Sequence, residues 1–279
     1  MKTMEINSLG QCSYQQLINV IREVVKPDMI YLLGSSQREI KSESIFISNP
    51  TTVNYTSEYY LLIVIPELND KNTYEWEEII ECRCKSIIPI ICIVLQTSIF
   101  EKWLKAGHSF AVKVFQSADI IHSSQRSLFD DVTLGEITDQ KEIKDFYNTG
   151  INKAKEFLKT AELCRLSDQN ALAMFMLHQS AEQALTALIK AGTGYHRRTH
   201  NLSRLIRLSG LVTNEVRSIF PQHTEEDKRL LKLLQSAYSD GRYKREYRVR
   251  MDDLLLCIRH VSVVLEICCE RANIELIHL

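Results

Sequence analysis

Three groups of residues have types and spacing suited to chemistry. The first lies in "MIYLLGSSQREIKSES" (29–44), where an apolar run enters Gly34-Ser35-Ser36 and Arg38 follows. Read as a strand ending in a turn, it brings backbone N–H groups and the Ser35 hydroxyl up to a phosphate, with Gly34 permitting close approach. The second is His178 and Glu182 in "FMLHQSAEQALTALIKAG" (175–192), one helical turn apart, with Gln179 and Gln183 alongside. They are either a polar pair satisfied against a neighbouring helix or part of a ligand site. The third is "GRYKREYRVR" (241–250), where five of the nine residues from Arg242 to Arg250 are basic and Tyr243 and Tyr247 are interleaved. Arginine forks grip phosphate and tyrosine rings stack on bases, so Arg242, Tyr243 and Arg245 suit a nucleotide or RNA. A solvated linker whose tyrosines pack at a bundle edge has the same composition.

"LLGSSQREI" resembles the glycine-serine signature of minimal nucleotidyltransferases of the polymerase-beta type, with Gly34, Ser35 and Arg38 on matching positions. That resemblance implies a triphosphate site and two divalent ions held by an Asp-x-Asp pair on the next strand. The match fails at the acids. Glu39 stands where the family has Gly. The acid pair falls either on Glu43, Ser44 and Ile45 or on Glu58, Tyr59 and Tyr60, leaving at most one carboxylate. "PIICIVLQ" (89–96) offers no third acid. The expectation is a degenerate nucleotidyltransferase-like domain that does not transfer nucleotides, with no metal and no cofactor.

The second half, residues 141–279, resembles the HEPN domain (higher eukaryotes and prokaryotes nucleotide-binding). The resemblance rests on "FMLHQSAEQALTALIKAG", "THNLSRLIRL" (199–208) and "AYSDGRYKREYRV" (237–249). It implies a partner for the nucleotidyltransferase-like half and a nucleotide-binding role for the Arg242–Tyr243 corner. It also implies a homodimer formed through the helices. In "THNLSRL", Asn201 is the expected helix cap and His200 reads as a loop residue. Ribonucleases of this family carry an Arg and a His with four to six residues between them, the His for proton transfer and the Arg for the phosphorane charge. Arg217 with His223 and Arg271 with His278 fit that spacing, so a metal-independent ribonuclease is the alternative to a binding role. A protein-interaction scaffold without a ligand is the third reading.

The elements that must position these groups divide the chain in two. Helical periodicity at 13–25, with Ser13 as cap, is followed by strand-like runs at 29–34, 44–48, 59–65 and 89–96 and by helices at 72–88 and 98–107. Asn72 or Thr73 caps the helix at 72–88. This alternation predicts an α/β domain with a mixed sheet and flanking helices over 1–137. From 138 the strand signals stop. Apolar stripes at steps of three and four run through 141–165, 169–192, 201–210, 225–240 and 251–276, which predicts an all-α antiparallel bundle over 138–279. The whole is α+β.

A net charge of −1 over 279 residues excludes a whole-chain field that would attract nucleic acid. Residues 1–137 carry 12 basic and 17 acidic side chains, and residues 138–279 carry 22 and 18. The eight cysteines have no metal-binding or disulfide spacing and read as reduced thiols, which fits a cytoplasmic location. No signal-peptide core is visible at the N-terminus. The longest apolar run, residues 87–95, is too short to span a bilayer, so no membrane partner is expected.

Overall fold

The computed structural model describes residues 8–42, 51–124, 128–221, 224–239 and 247–277. The chain separates into two compact units, Met1–Ile137 and Thr138–Leu279.

In the first unit the elements run α1 (Ser8–Val25), β1 (Met29–Ser42), β2 (Thr51–Ile65), α2 (Thr73–Cys84), β3 (Ile90–Gln96), α3 (Thr97–Lys105), α4 (Ser109–Ser117) and β4 (Asp119–Ser123). The sheet order is β3-β2-β1-β4. β1 pairs antiparallel with β2 and β4, while β2 and β3 are parallel and joined through α2, so the sheet is mixed. The run "YYLLIVI" is buried on both faces because β2 is a central strand. Its Leu61, Ile63 and Ile65 pack with Leu17 and Ile21 of α1 and Ile80 of α2. Opposite, Tyr31 meets Phe100 of α3 at 5.6 Å between ring centroids. Asn72 caps α2 by accepting the N–H groups of Tyr74 and Glu75, and Glu75 returns the bond to the Asn72 N–H.

Two expectations need correction. Gly34-Ser35-Ser36 is not a turn: β1 runs straight through it, paired with Tyr60, Tyr59 and Glu58 of β2. The register slips by one residue between Leu32 and Gly34 and again between Ser36 and Gln37, so bulges stand where a turn was expected. Ser13 is no cap, because α1 starts five residues earlier, at Ser8. Elements α4 and β4 lack a sequence signal: β4 is a short edge strand whose Ile120 is 54% exposed, so no apolar run marks it. The run at 44–48 lies outside the described residues, as does Glu43.

The second unit comprises α5 (Gln140–Leu166), α6 (Asn170–Thr193), α7 (Leu202–Leu208), a 3-10 turn at Ser209–Leu211, α8 (Glu215–Ile219), α9 (Glu225–Ser236) and α10 (Met251–Ile277). α6 is the central helix, packed by α5 and α10, and small residues let α5 approach it closely. A Cβ on Gly150 would stand 2.9 Å from the Ala187 Cβ, and the buried Ser180 hydroxyl donates to the Ala154 carbonyl at 2.8 Å. α6 continues past Gly192 and ends at Gly194, whose φ of 74° is the left-handed closure glycine favours. Overall the protein is α+β, with a mixed four-stranded sheet in its first unit and a helical second unit. Among the described residues, no helix is long and apolar enough to cross a membrane.

Candidate functional site

The densest polar cluster is built on α6. His178 and Glu182 face inward, the first 0% and the second 7% exposed, so both need partners from elsewhere in the fold. The segment leading into α7 supplies them. His178 Nε2 lies 3.1 Å from the His200 carbonyl, which can only accept, so Nε2 carries the proton. Nδ1 is then an acceptor, and the Gln179 amide donates to it at 3.2 Å and to Glu182 Oε2 at 3.3 Å. The pair is satisfied, but by a loop and not by a neighbouring helix.

His200 completes the cluster. Its Nδ1 donates to both Glu182 oxygens, at 3.1 and 3.0 Å, and its ring stacks on Tyr238 with centroids 4.1 Å apart and planes 16° from parallel. Tyr238 also touches the His178 ring at 5.3 Å. The His200 side chain is 52% exposed, and its Nε2 has no partner among the described residues. Burial pushes the Glu182 carboxyl above its ordinary range, while the hydrogen bond and charge of His200 and the Gln179 amide pull it back.

Gln235 of α9 fixes the loop. Its amide donates to the His200 carbonyl at 2.8 Å and accepts the Leu202 N–H at 2.6 Å, while Asn201 caps α7 by accepting the Arg204 N–H at 3.0 Å. The result is a rigid aromatic ring with one open nitrogen, its other nitrogen held by a buried carboxylate. Such a ring can stack on a base, accept or donate a hydrogen bond, or move a proton.

Of the residues expected to act, His178 and Glu182 belong to this cluster. Arg242, Tyr243 and Arg245 lie outside the described residues, between Tyr238 and Tyr247. Tyr247 donates its hydroxyl to the Leu233 carbonyl of α9 at 2.8 Å. Gly34 and Ser35 lie on β1, with Arg38 opposite Tyr55 on the same ribbon. Of the two acid alignments, Glu58 is opposite Ser36 and Tyr60, two residues on, opposite Gly34, while Glu43, Ser44 and Ile45 lie outside the described residues. Among the described residues, no three His, Cys, Asp or Glu side chains converge to hold a metal ion. Arg217 donates to the Arg207 carbonyl and Arg271 is paired with Glu215, while His223 and His278 lie outside the described residues.

The roles of His200, Tyr238 and Gln235 escape sequence reasoning, because Glu182 is 18 residues from His200 and Gln235 is 35 from it. The usable signal is indirect. Two inward polar residues on an apolar helix demand a polar partner, and "THNLS" is the next polar run after α6.

A family model of the HEPN domain matches residues 147–272. Among solved structures, an archaeal HEPN homologue aligns over 45% of this chain and 97% of its own, at 22% identity and a TM-score of 0.33. A nucleotidyltransferase-like protein from Exiguobacterium sibiricum aligns over 78% of this chain at 11% identity and a TM-score of 0.30, and this chain spans 65% of that protein. A search of curated proteins found no match. By the family-model match, residues 147–272, within the helical second unit, are a HEPN domain.

Proposed function

We propose that this is a nucleotide- or RNA-binding, regulatory HEPN-domain protein whose first unit is a nucleotidyltransferase-like fold without the acids for transfer. The observation that carries the binding role is the exposed His200 ring, stacked on Tyr238 and held by buried Glu182. A base can extend that stack, and base–aromatic stacking contributes about 1–3 kcal/mol per base. The local charge favours a phosphate-bearing ligand. Between Glu182 and Glu215 the chain has no acidic residue and five basic ones, Lys190, Arg197, Arg198, Arg204 and Arg207. Thermal shift with a nucleotide panel, and anisotropy of a short labelled RNA, test this reading. Stabilisation or binding is expected in the wild type and lost in Tyr238→Ala. A wild type that binds neither class rejects it and leaves a protein-interaction scaffold.

In the first unit, Glu58 is the one acid on β2 beside the Gly34–Ser36 stretch, and in the alignment that uses it Tyr60 takes the second acid position. A single carboxylate cannot hold the two ions that nucleotidyl transfer uses. Labelled-nucleotide transfer dependent on Glu58 would overturn this part.

The Glu182–His200 pair also favours the alternative reading, a ribonuclease. A ring nitrogen opposite a carboxylate-bound one is placed like a general base. Cleavage of structured RNA by the wild type, removed in His200→Ala, supports that activity, and an inert wild type dismisses it.

We further read the helical unit as half of a homodimer. Leu163 and Leu166 near the end of α5 are 55% and 69% exposed, and Leu255 near the start of α10 is 47% exposed. A monomeric mass by light scattering at micromolar concentration rejects the dimer.

A further inference from the structure

We propose that the ribbon at the far ends of β1 and β2 is a pairing surface for a second copy of this chain, which lays its own β2 antiparallel along the edge of β2 at residues 51–57. The ribbon outruns the sheet. β3 pairs with β2 only over residues 59–65, and β4 pairs with β1 only over residues 29–32. A bulge at Ser57 marks the root, where the Ser57 hydroxyl donates to the Ser36 carbonyl at 3.1 Å. Beyond it, residues 37–42 and 51–56 form six consecutive pairs without a slip, and no third strand joins them among the described residues. A two-stranded ribbon is marginal in water, and a third strand is what stabilises it.

The body of the sheet is closed where the ribbon is open. The outer edge of β3 has the amides of Cys92 and Val94 engaged by Glu81 and Glu77 of α2. On β2, cover by β3 ends at Tyr59, whose N–H bonds the Pro89 carbonyl; Pro89 has no N–H with which to carry the ladder on. In residues 51–57 every second residue turns its N–H and C=O away from β1, which makes that edge a template for an added strand.

The two edges of the ribbon differ in kind. The β1 stretch includes Arg38, Glu39 and Lys41, and charges of this sort discourage strand addition. The β2 stretch, "TTVNYTS", has no charge and no proline. It is also close to self-complementary. Antiparallel pairing with its copy about Asn54 sets Val53 opposite Tyr55, Thr52 opposite Thr56 and Thr51 opposite Ser57. A β-branched residue opposite an aromatic one, and threonine opposite threonine, are favourable cross-strand pairs. That symmetry is the reason to name a second copy as the occupant. A two-fold pairing uses the same edge of both chains and closes at two, and the charged β1 edges discourage further growth. This surface is separate from the helical pairing proposed above.

The test is oxidative crosslinking of the full chain carrying Asn54→Cys or Thr52→Cys, with the wild type as control for the native cysteines. About Asn54 the two residues 54 face each other, whereas the two residues 52 stand about 13 Å apart, beyond disulfide reach. Asn54→Cys should give at least fivefold more linked dimer on a non-reducing gel than Thr52→Cys or the wild type. Equal yields overturn the pairing. Asn54→Lys sets like charges opposite each other and should weaken association at least fivefold, with an equimolar mixture with Asn54→Glu restoring it. In the wild type, hydrogen exchange at residues 51–57 should slow as protein concentration rises; a rate independent of concentration overturns the pairing even where the variants fail to fold. A wild-type dimer that meets none of these expectations rejects this surface and keeps the helical one. A wild type monomeric at every concentration rejects both.

Discussion

The buried carboxylate of Glu77 accepts the backbone N–H of Val94 at 3.0 Å, and one turn on Glu81 accepts the N–H of Cys92 at 3.1 Å. The match is geometric. Four residues of helix advance about 6 Å, close to the rise of about 6.6 Å for two residues of strand, so α2 can dress every second amide of β3. β3 is thereby an edge strand with a covered edge, which explains why its residues Ile90–Leu95 are buried like those of a central strand. Replacing Glu77 by Ala leaves a buried amide unsatisfied and should cost about 1–3 kcal/mol in chemical denaturation. It should also promote association through the bared edge, whereas Glu77→Gln, which can still accept, should remain monodisperse by light scattering.

Tyr238→Phe and Tyr238→Ala should separate stacking from everything else at the His200 cluster. The phenylalanine keeps the ring face against His200 and should retain ligand binding within a few-fold. The alanine should lose about 1–3 kcal/mol of it, read as at least a fivefold weaker titration. Equal behaviour of the two variants would show that the stack does not bear on binding.

Gly150 has no room for a side chain against Ala187. Gly150→Leu should force α5 and α6 apart and lower stability by roughly 1–3 kcal/mol or more, measured as a loss in urea midpoint. Gly34 makes the contrast. A Cβ there meets only Tyr60 Cδ2, at 3.9 Å, so Gly34→Ala should leave the melting temperature nearly unchanged.

Asp253 of α10 accepts from Arg229 of α9 at 2.5 and 3.2 Å, and that pairing holds its carboxyl below the usual range. A depressed folded-state pKa gives stability that is present above the unfolded value near 4 and lost as pH falls through the folded value. Glu182 has the opposite sign. Burial raises it, so its contribution is complete below the unfolded pKa and lost as pH rises through the folded one. Melting curves from pH 2 to 7 should therefore show a shallower acid-side loss in Asp253→Asn. Glu182→Gln should show a smaller decline on the neutral side. Parallel curves for wild type and both variants would show that neither group is linked to folding.

The long helices of the second unit and the two buried strands β2 and β3 are legible in the sequence, because their apolar residues recur at the period of the element. Gly34–Ser36 is misread for a physical reason. Gly-Ser between two apolar runs has turn composition, and only the pairing of Gly34 with Tyr60 reveals that the chain passes straight on with a bulge. His178 and Glu182 are visible because one turn of helix separates them. The other half of the cluster depends on the tertiary return of His200, Gln235 and Tyr238, which no local spacing encodes.

Gln235 spans two elements with one amide, holding the His200 carbonyl and the first N–H of α7. Any fluctuation that frees α9 must release that loop with it, and a ligand that clamps His200 must quieten α9. The amide protons of Leu202 and of the last turns of α9 should then exchange with deuterium through one shared opening and slow together when the site is filled.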